Sequence, residues 1–155
     1  MGDAVRENAI RGAYDMSPDR LGIDLMARAK NRLRDAERSG KEGRYPEAVR
    51  YSQECSELAM KGCLRLLGIE YPKSHDVGNV LIRYRERFPI WFRTSIDEIA
   101  GFSHDLFAVR GLAMYGDEDS GTPAGVMFLR DDSLDALRKA RVVFAAAKKL
   151  AQEAS

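Results

Sequence analysis

Apolar residues recur every three to four positions along four stretches of this chain, and turn residues separate the stretches, a pattern that predicts amphipathic helices. In "MSPDRLGIDLMARAKNRLRDAERSG", Ser17 is an N-cap and Pro18 a first helical residue. Leu21, Leu25, Ala29, Leu33 and Ala36 share one face, and Gly40 and Gly43 end the run. "YPEAVRYSQECSELAMKGCLRLLG" follows the same grammar: Pro46 opens it, Gly68 closes it, and Ala48, Cys55, Ala59, Gly62, Cys63, Leu66 and Leu67 form the stripe. A short loop makes these two an antiparallel hairpin.

Pro72 marks the next connection, after which Ser74 or Asp76 caps a short helix carrying Val77, Val80, Leu81 and Tyr84. Pro89 marks a break. From about Trp91 to Met114 the helical spacing returns through Phe92, Ile96, Ile99, Phe102, Leu106, Val109 and Ala113. The loop "YGDEDSGTPAG" leads into a last helix with Leu137, Ala140, Phe144, Ala147 and Ala151 on its apolar face, capped by Asp131, Asp132 or Ser133. No segment alternates as a strand does, and "GVMFL" is too short to change that. The expected fold is all-α, an up-and-down bundle of four main helices plus one short helix.

Composition sharpens this picture modestly. With 155 residues, 45% hydrophobic and 32% charged, the chain suits one domain over 1–155, with 1–15 loosely ordered or forming an extra N-terminal helix. Lys and Arg number 25 against 24 Asp and Glu, so a net charge of +1 gives no bulk attraction to a polyanion and any basic site is local. No run reaches the roughly 18 apolar residues of a membrane span, and the charged start does not suit a signal peptide, so the expectation is a cytoplasmic chain without a membrane partner. Cys55 and Cys63 lie about 12 Å apart along one helix, beyond the roughly 7 Å that a disulfide spans, and read as buried thiols.

Candidate chemistry centres on "AVRGLAMYGDEDSG". Arg110 lies between Leu106 and Met114 on an otherwise apolar stripe, where an unpaired guanidinium is unfavourable. It snorkels to solvent, pairs with a carboxylate such as Glu57 of the neighbouring helix, or faces a groove prepared for an anion. Tyr115 would point about 140° away on a regular helix. Gly116 allows a left-handed cap at which Tyr115 could swing toward the arginine. His75 and His104 are the only histidines and neither has a partner at a zinc spacing, so no metal is expected. "LIRYRERFPIWFR" interleaves arginines with aromatic rings, read either as a single-strand stacking surface or as core rings with a solvated basic face. No P-loop, dinucleotide fingerprint or nucleophile elbow is present.

Three stretches in order resemble the HEPN family, the higher eukaryotes and prokaryotes nucleotide-binding domains. They are "GRYPEAVRYSQECSELAMKGCLRLLGIEYPKSHDV", with Lys61 and its closing Lys-Ser-His-Asp, then "AVRGLAMYGDEDSGTP", then the final helix "SLDALRKARVVFAAAKKL". The resemblance covers about residues 18–151 and implies an all-α homodimer, often paired with a minimal nucleotidyltransferase in a toxin and antitoxin system. Many members are metal-independent ribonucleases, whose arginine is followed after four to six residues by a histidine at the dimer groove. Here Arg110 matches the arginine, but positions 115, 116 and 117 are Tyr, Gly and Asp. Tyrosine, with a reference pKa near 10, is a poor general base at neutral pH.

The expectation is therefore a non-catalytic module that binds nucleotide or RNA beside a nucleotidyltransferase, with no catalytic residue, no metal and no cofactor. Arg110, Tyr115, Glu57, Lys61 and His75 are its candidate ligand-binding residues. The alternative is a ribonuclease toxin with a degenerate site, in which His75 or His104 stands in for the missing histidine.

Overall fold

The computed structural model describes residues 17–71, 73 and 76–154, and within that span the side chains of 17–19 and 154 are left aside. The N-terminal 1–15 segment, the Ser17 cap and His75 lie outside what is described. Four long helices dominate, as their periodicity predicts: α1 Ser17–Lys41, α2 Tyr45–Leu66, α5 Ile96–Tyr115 and α7 Arg130–Ala154. Three short ones connect them, α3 Gly78–Arg83, α4 Ile90–Arg93 and α6 Ala124–Met127, with a 3-10 turn at Arg85–Arg87. No strand forms among the described residues, where an isolated bridge between Asp117 and Thr122 is the β-type pairing present.

Helix α2 is the central element and packs on α1, α5 and α7. Its contact with α1 is close because two glycines face each other. A Cβ at Gly22 would lie 2.9 Å from the Leu66 side chain, and one at Gly62 would lie 3.0 Å from the Met26 sulfur. This crossing explains why Leu21, expected on the packed face, is 44% exposed: the seam runs through Ala29, Leu33 and Ala36 as expected, but in the first two turns it shifts one position on, to Gly22 and Met26.

The main core joins Cys55, Ala59, Met60, Cys63 and Leu64 of α2 to Phe88, Phe92, Ile96 and Ile99, and to Ala140, Val143, Ala147 and Leu150 of α7. The Phe88 and Phe92 rings stack with centroids 4.8 Å apart. A smaller cluster of Val49, Leu106, Ala113, Phe128 and Ala136 lies under α6.

Two boundaries differ from the sequence expectation. The helix read from Trp91 to Met114 is interrupted after Arg93: the Thr94 hydroxyl donates to the Trp91 carbonyl at 3.0 Å, the kind of local bond that competes with a helical ladder, and α5 begins afresh at Ile96. At the last helix none of Asp131, Asp132 and Ser133 stands before the first turn, because the helix begins at Arg130. Asp132 instead reaches back to accept the Leu129 N–H at 2.8 Å, the reciprocal half of a capping box.

Lys139 of α7 ties that helix to α5, donating to Asp105 at 3.2 Å and to Asp135 at 3.0 Å. The hydrogen bond from Lys139, then that from Arg138, holds the Asp135 carboxyl below its usual range. Because the folded value lies under the unfolded one, this contribution is complete above the ordinary carboxylate range near 4 and is lost as pH falls through the depressed value. Asp135→Asn should therefore narrow the stability gap between neutral and acid pH, read as urea midpoints across that range. An unchanged acid dependence would rule this pair out as a contributor.

Candidate functional site

The site is built on one face of α2. Gln53, Glu57 and Lys61 follow each other at four-residue spacing and so stand in a row along the helix. Lys61 Nζ donates to Glu57 Oε2 at 3.3 Å, and Gln53 Nε2 donates to Glu57 Oε1 at 3.2 Å. Helix α5 crosses this face and delivers Arg110, whose Nη1 donates to Gln53 Oε1 at 2.7 Å and lies 3.7 Å from Glu57 Oε1. At the opposite end the Lys61 ammonium sits 5.7 Å from the centre of the Tyr71 ring.

Of the three explanations open for Arg110, the guanidinium adopts the paired one, with Glu57 as the carboxylate and Gln53 as the nearer partner. The pairing does not use it up. A guanidinium carries five N–H donors, and the described partners take Nη1. The side chains of Arg110, Glu57 and Lys61 retain 26%, 13% and 15% of their exposure, so the row borders solvent while lying in a lowered dielectric. Among the described residues of the row two cations, Arg110 and Lys61, share one carboxylate, Glu57, an arrangement that can donate to a phosphate oxygen.

Three of the five candidate ligand residues thus meet: Arg110, Glu57 and Lys61. Tyr115 stands apart. Gly116 does cap α5, at φ 74° with its N–H bonded to Leu112 O at 2.8 Å, but the helix stays regular through Tyr115. The ring therefore keeps its offset of about 140° from Arg110 and is 68% exposed. His104 pairs with Asp76 at 3.2 Å and is 71% exposed, and lies about 120° around α5 from Arg110. Gln53 is the residue that sequence reasoning missed. Its signal was the four-residue register with Glu57 and Lys61 beside the small residues Ser52, Cys55 and Ser56.

The aromatic and basic segment after α3 is committed to internal contacts. Trp91 Nε1 donates to Glu153 at 2.8 Å, and Lys149 covers its ring at 4.1 Å. Arg87 donates to the Leu67 carbonyl, Arg93 to the Phe88 carbonyl, and Arg85 pairs with Asp97. These contacts favour the core reading over a stacking platform for bases.

Neither cysteine is placed for nucleophilic chemistry. Burial pushes the thiols of Cys55 and Cys63 up to about 12, and at Cys55 the nearby Glu37 charge adds to the effect. Both thiols should resist alkylation in the native protein near pH 8 and react fully in urea; rapid native labelling, followed by mass spectrometry, would contradict that placement. Among the described residues no group of three His, Cys, Asp or Glu side chains could hold a metal ion. No described helix is long and apolar enough to cross a membrane.

Comparison with known proteins agrees with this architecture. The crystal structure of TT1696 from Thermus thermophilus superimposes with a TM-score of 0.61 at 20% sequence identity, covering 83% of this chain and 97% of that one. At that identity the likeness shows a shared fold. No curated protein matches the sequence. The model of the HEPN domain matches residues 23–150, across all four long helices and the Arg110 row, and the chain therefore belongs to the HEPN domain family.

Proposed function

We propose that this HEPN domain is a binding module that holds a nucleotide or RNA phosphate at Arg110 and acts beside a minimal nucleotidyltransferase partner, as in toxin and antitoxin pairs, rather than a ribonuclease. The observation that carries it is the Arg110, Gln53, Glu57 and Lys61 row: a preset, partly desolvated anion contact that holds two cations against one carboxylate among the described residues. Cleavage by the ribose 2′-hydroxyl needs a group that accepts its proton near neutral pH. The residues after Arg110 where the family's ribonucleases have histidine are Tyr115, Gly116 and Asp117. Tyr115 lies on another side of the helix, where its exposed ring can stack on a base of a bound strand or on a partner.

The end of the bundle beyond Arg110 supplies the surface for protein partners in this reading. Met114, Tyr115, Val126, Leu129 and Leu134 are all exposed there, on the last turn of α5, on α6 and on the start of α7. A homodimer or a nucleotidyltransferase would cover these side chains.

Titration calorimetry with mononucleotides, short RNA and a nucleotidyltransferase encoded beside the gene tests the reading. Binding weakened at least about 10-fold by Arg110→Ala is expected, the loss of one charge-assisted phosphate contact. Absence of binding by any of the three would overturn it. The ribonuclease alternative draws on the His104 and Asp76 pair, since a carboxylate at 3.2 Å is what orients an imidazole as a base. It requires cleavage that both Arg110→Ala and His104→Ala abolish.

A further inference from the structure

We propose that Gln53 is a positioning residue for the Arg110 anion site: a neutral spacer that fixes the guanidinium while keeping its charge available. This rests on the binding role assigned to Arg110 above. Gln53 is 2% exposed, so its amide is committed to the protein interior and both of its ends need partners. They have them. Oε1 accepts from Arg110 Nη1 at 2.7 Å, and Nε2 donates to Glu57 Oε1 at 3.2 Å, which sets the amide orientation without ambiguity.

The consequence is electrostatic. The nearest group to the guanidinium is an uncharged carbonyl at 2.7 Å, while the Glu57 carboxylate stands off at 3.7 Å. A carboxylate at the closer position would form a charge-assisted pair and cancel the arginine's field at the point where an anion approaches. Gln53 accepts the same hydrogen bond without cancelling it. Its other end occupies Glu57 Oε1 and Lys61 occupies Oε2, so both oxygens of that carboxylate are engaged along α2. A glutamine is also chemically unable to titrate, so the contact holds across the physiological pH range.

Two substitutions separate this role from plain packing. Gln53→Met keeps the volume and removes both hydrogen bonds; Gln53→Glu keeps the volume and the acceptor but adds a second carboxylate beside Glu57. The probe is a short oligouridylate, whose phosphodiesters and bases do not titrate between about pH 5 and 7.5. Folding of each variant is checked by circular dichroism, and Arg110→Ala is measured alongside.

Gln53→Met should weaken binding about 5-fold, because the guanidinium keeps its charge but loses the bond that orients it. Gln53→Glu should weaken it about 10-fold at pH 7.5, and its affinity relative to the wild type at the same pH should recover as the pH falls and the two neighbouring carboxylates share a proton. A role in packing alone would not create that pH profile. In the unliganded chain, nitrogen NMR should show slowed rotation of the Arg110 guanidinium that Gln53→Met releases. Should Gln53→Met misfold, the profile of Gln53→Glu and the wild-type resonances still decide.

Folded variants that bind as the wild type does, or a Gln53→Glu loss that ignores pH, would overturn the proposal while leaving Arg110 as the anion contact. Freely rotating Arg110 in the wild type would overturn the positioning itself. No Arg110-dependent binding by the wild type would instead overturn the functional reading, and the spacer role with it.

Discussion

Gly116→Val is expected to destabilise the domain by about 3 kcal/mol, seen as a fall in melting temperature of about 10 °C. Two effects combine. Gly116 sits at φ 74°, which a β-branched residue adopts only under strain. A Cβ there would also lie 2.5 Å from the Thr122 carbonyl oxygen and 3.0 Å from the Ala124 nitrogen, both backbone atoms that have no rotamer to retreat into. The turn is held from the other side as well, by paired bonds between Asp117 and Thr122 at 2.9 and 3.0 Å and by the Asp117 carboxylate accepting from the Asp119 N–H. A companion substitution sets the scale: Gly101→Ala, on an exposed face of the same helix with nothing within 4 Å of the added methyl, should stabilise by about 0.5 to 1 kcal/mol. Urea unfolding of both variants gives the opposite signs directly. If the two behaved alike, the close approach at Gly116 would be wrong.

Arg110→Ala carries the second large effect, and stability reports it separately from binding. Removing the guanidinium leaves Gln53 Oε1 buried without its donor and takes a cation from beside Glu57. Leaving such groups unsatisfied costs about 2 kcal/mol, less than for a fully buried pair because Arg110 reaches solvent. Arg110→Lys restores the charge but not the planar fork, so it should recover part of that loss and little of the phosphate contact. Chemical denaturation of the three proteins checks it. A stability change under about 0.5 kcal/mol for the alanine variant would mean the row does not hold the helices together.

How legible the molecule was depended on what each residue reports locally. The long helices follow from apolar spacing, and Gly43, Gly68 and Gly116 stop them where turn chemistry requires. The interruption at Thr94 and Ser95 was hidden because Phe92, Ile96 and Ile99 keep three-to-four spacing across it and all enter the core. Leu21 misled for the opposite reason: a leucine beside a glycine looks like the packed position, yet helix proximity selects the glycine.

At the site, Arg110 is conspicuous as a charge on an apolar stripe, and pairing with a carboxylate such as Glu57 is one of the three explanations its position leaves open. Gln53 was not, since a lone glutamine on a helix reads as a solvated residue until a partner from a distant helix is placed over it. Tyr115 shows the limit of cap reasoning. Gly116 does cap the helix, but a cap at position 116 ends it after the tyrosine, so the ring keeps its helical direction.

The most direct test of binding over cleavage uses one end-labelled RNA in the presence of a chelator. Fluorescence anisotropy reads its binding to the wild type and to Arg110→Ala, and a denaturing gel then reads its integrity. The account predicts RNA that is bound through Arg110 and recovered intact. RNA cut by the wild type and spared by Arg110→Ala would contradict it.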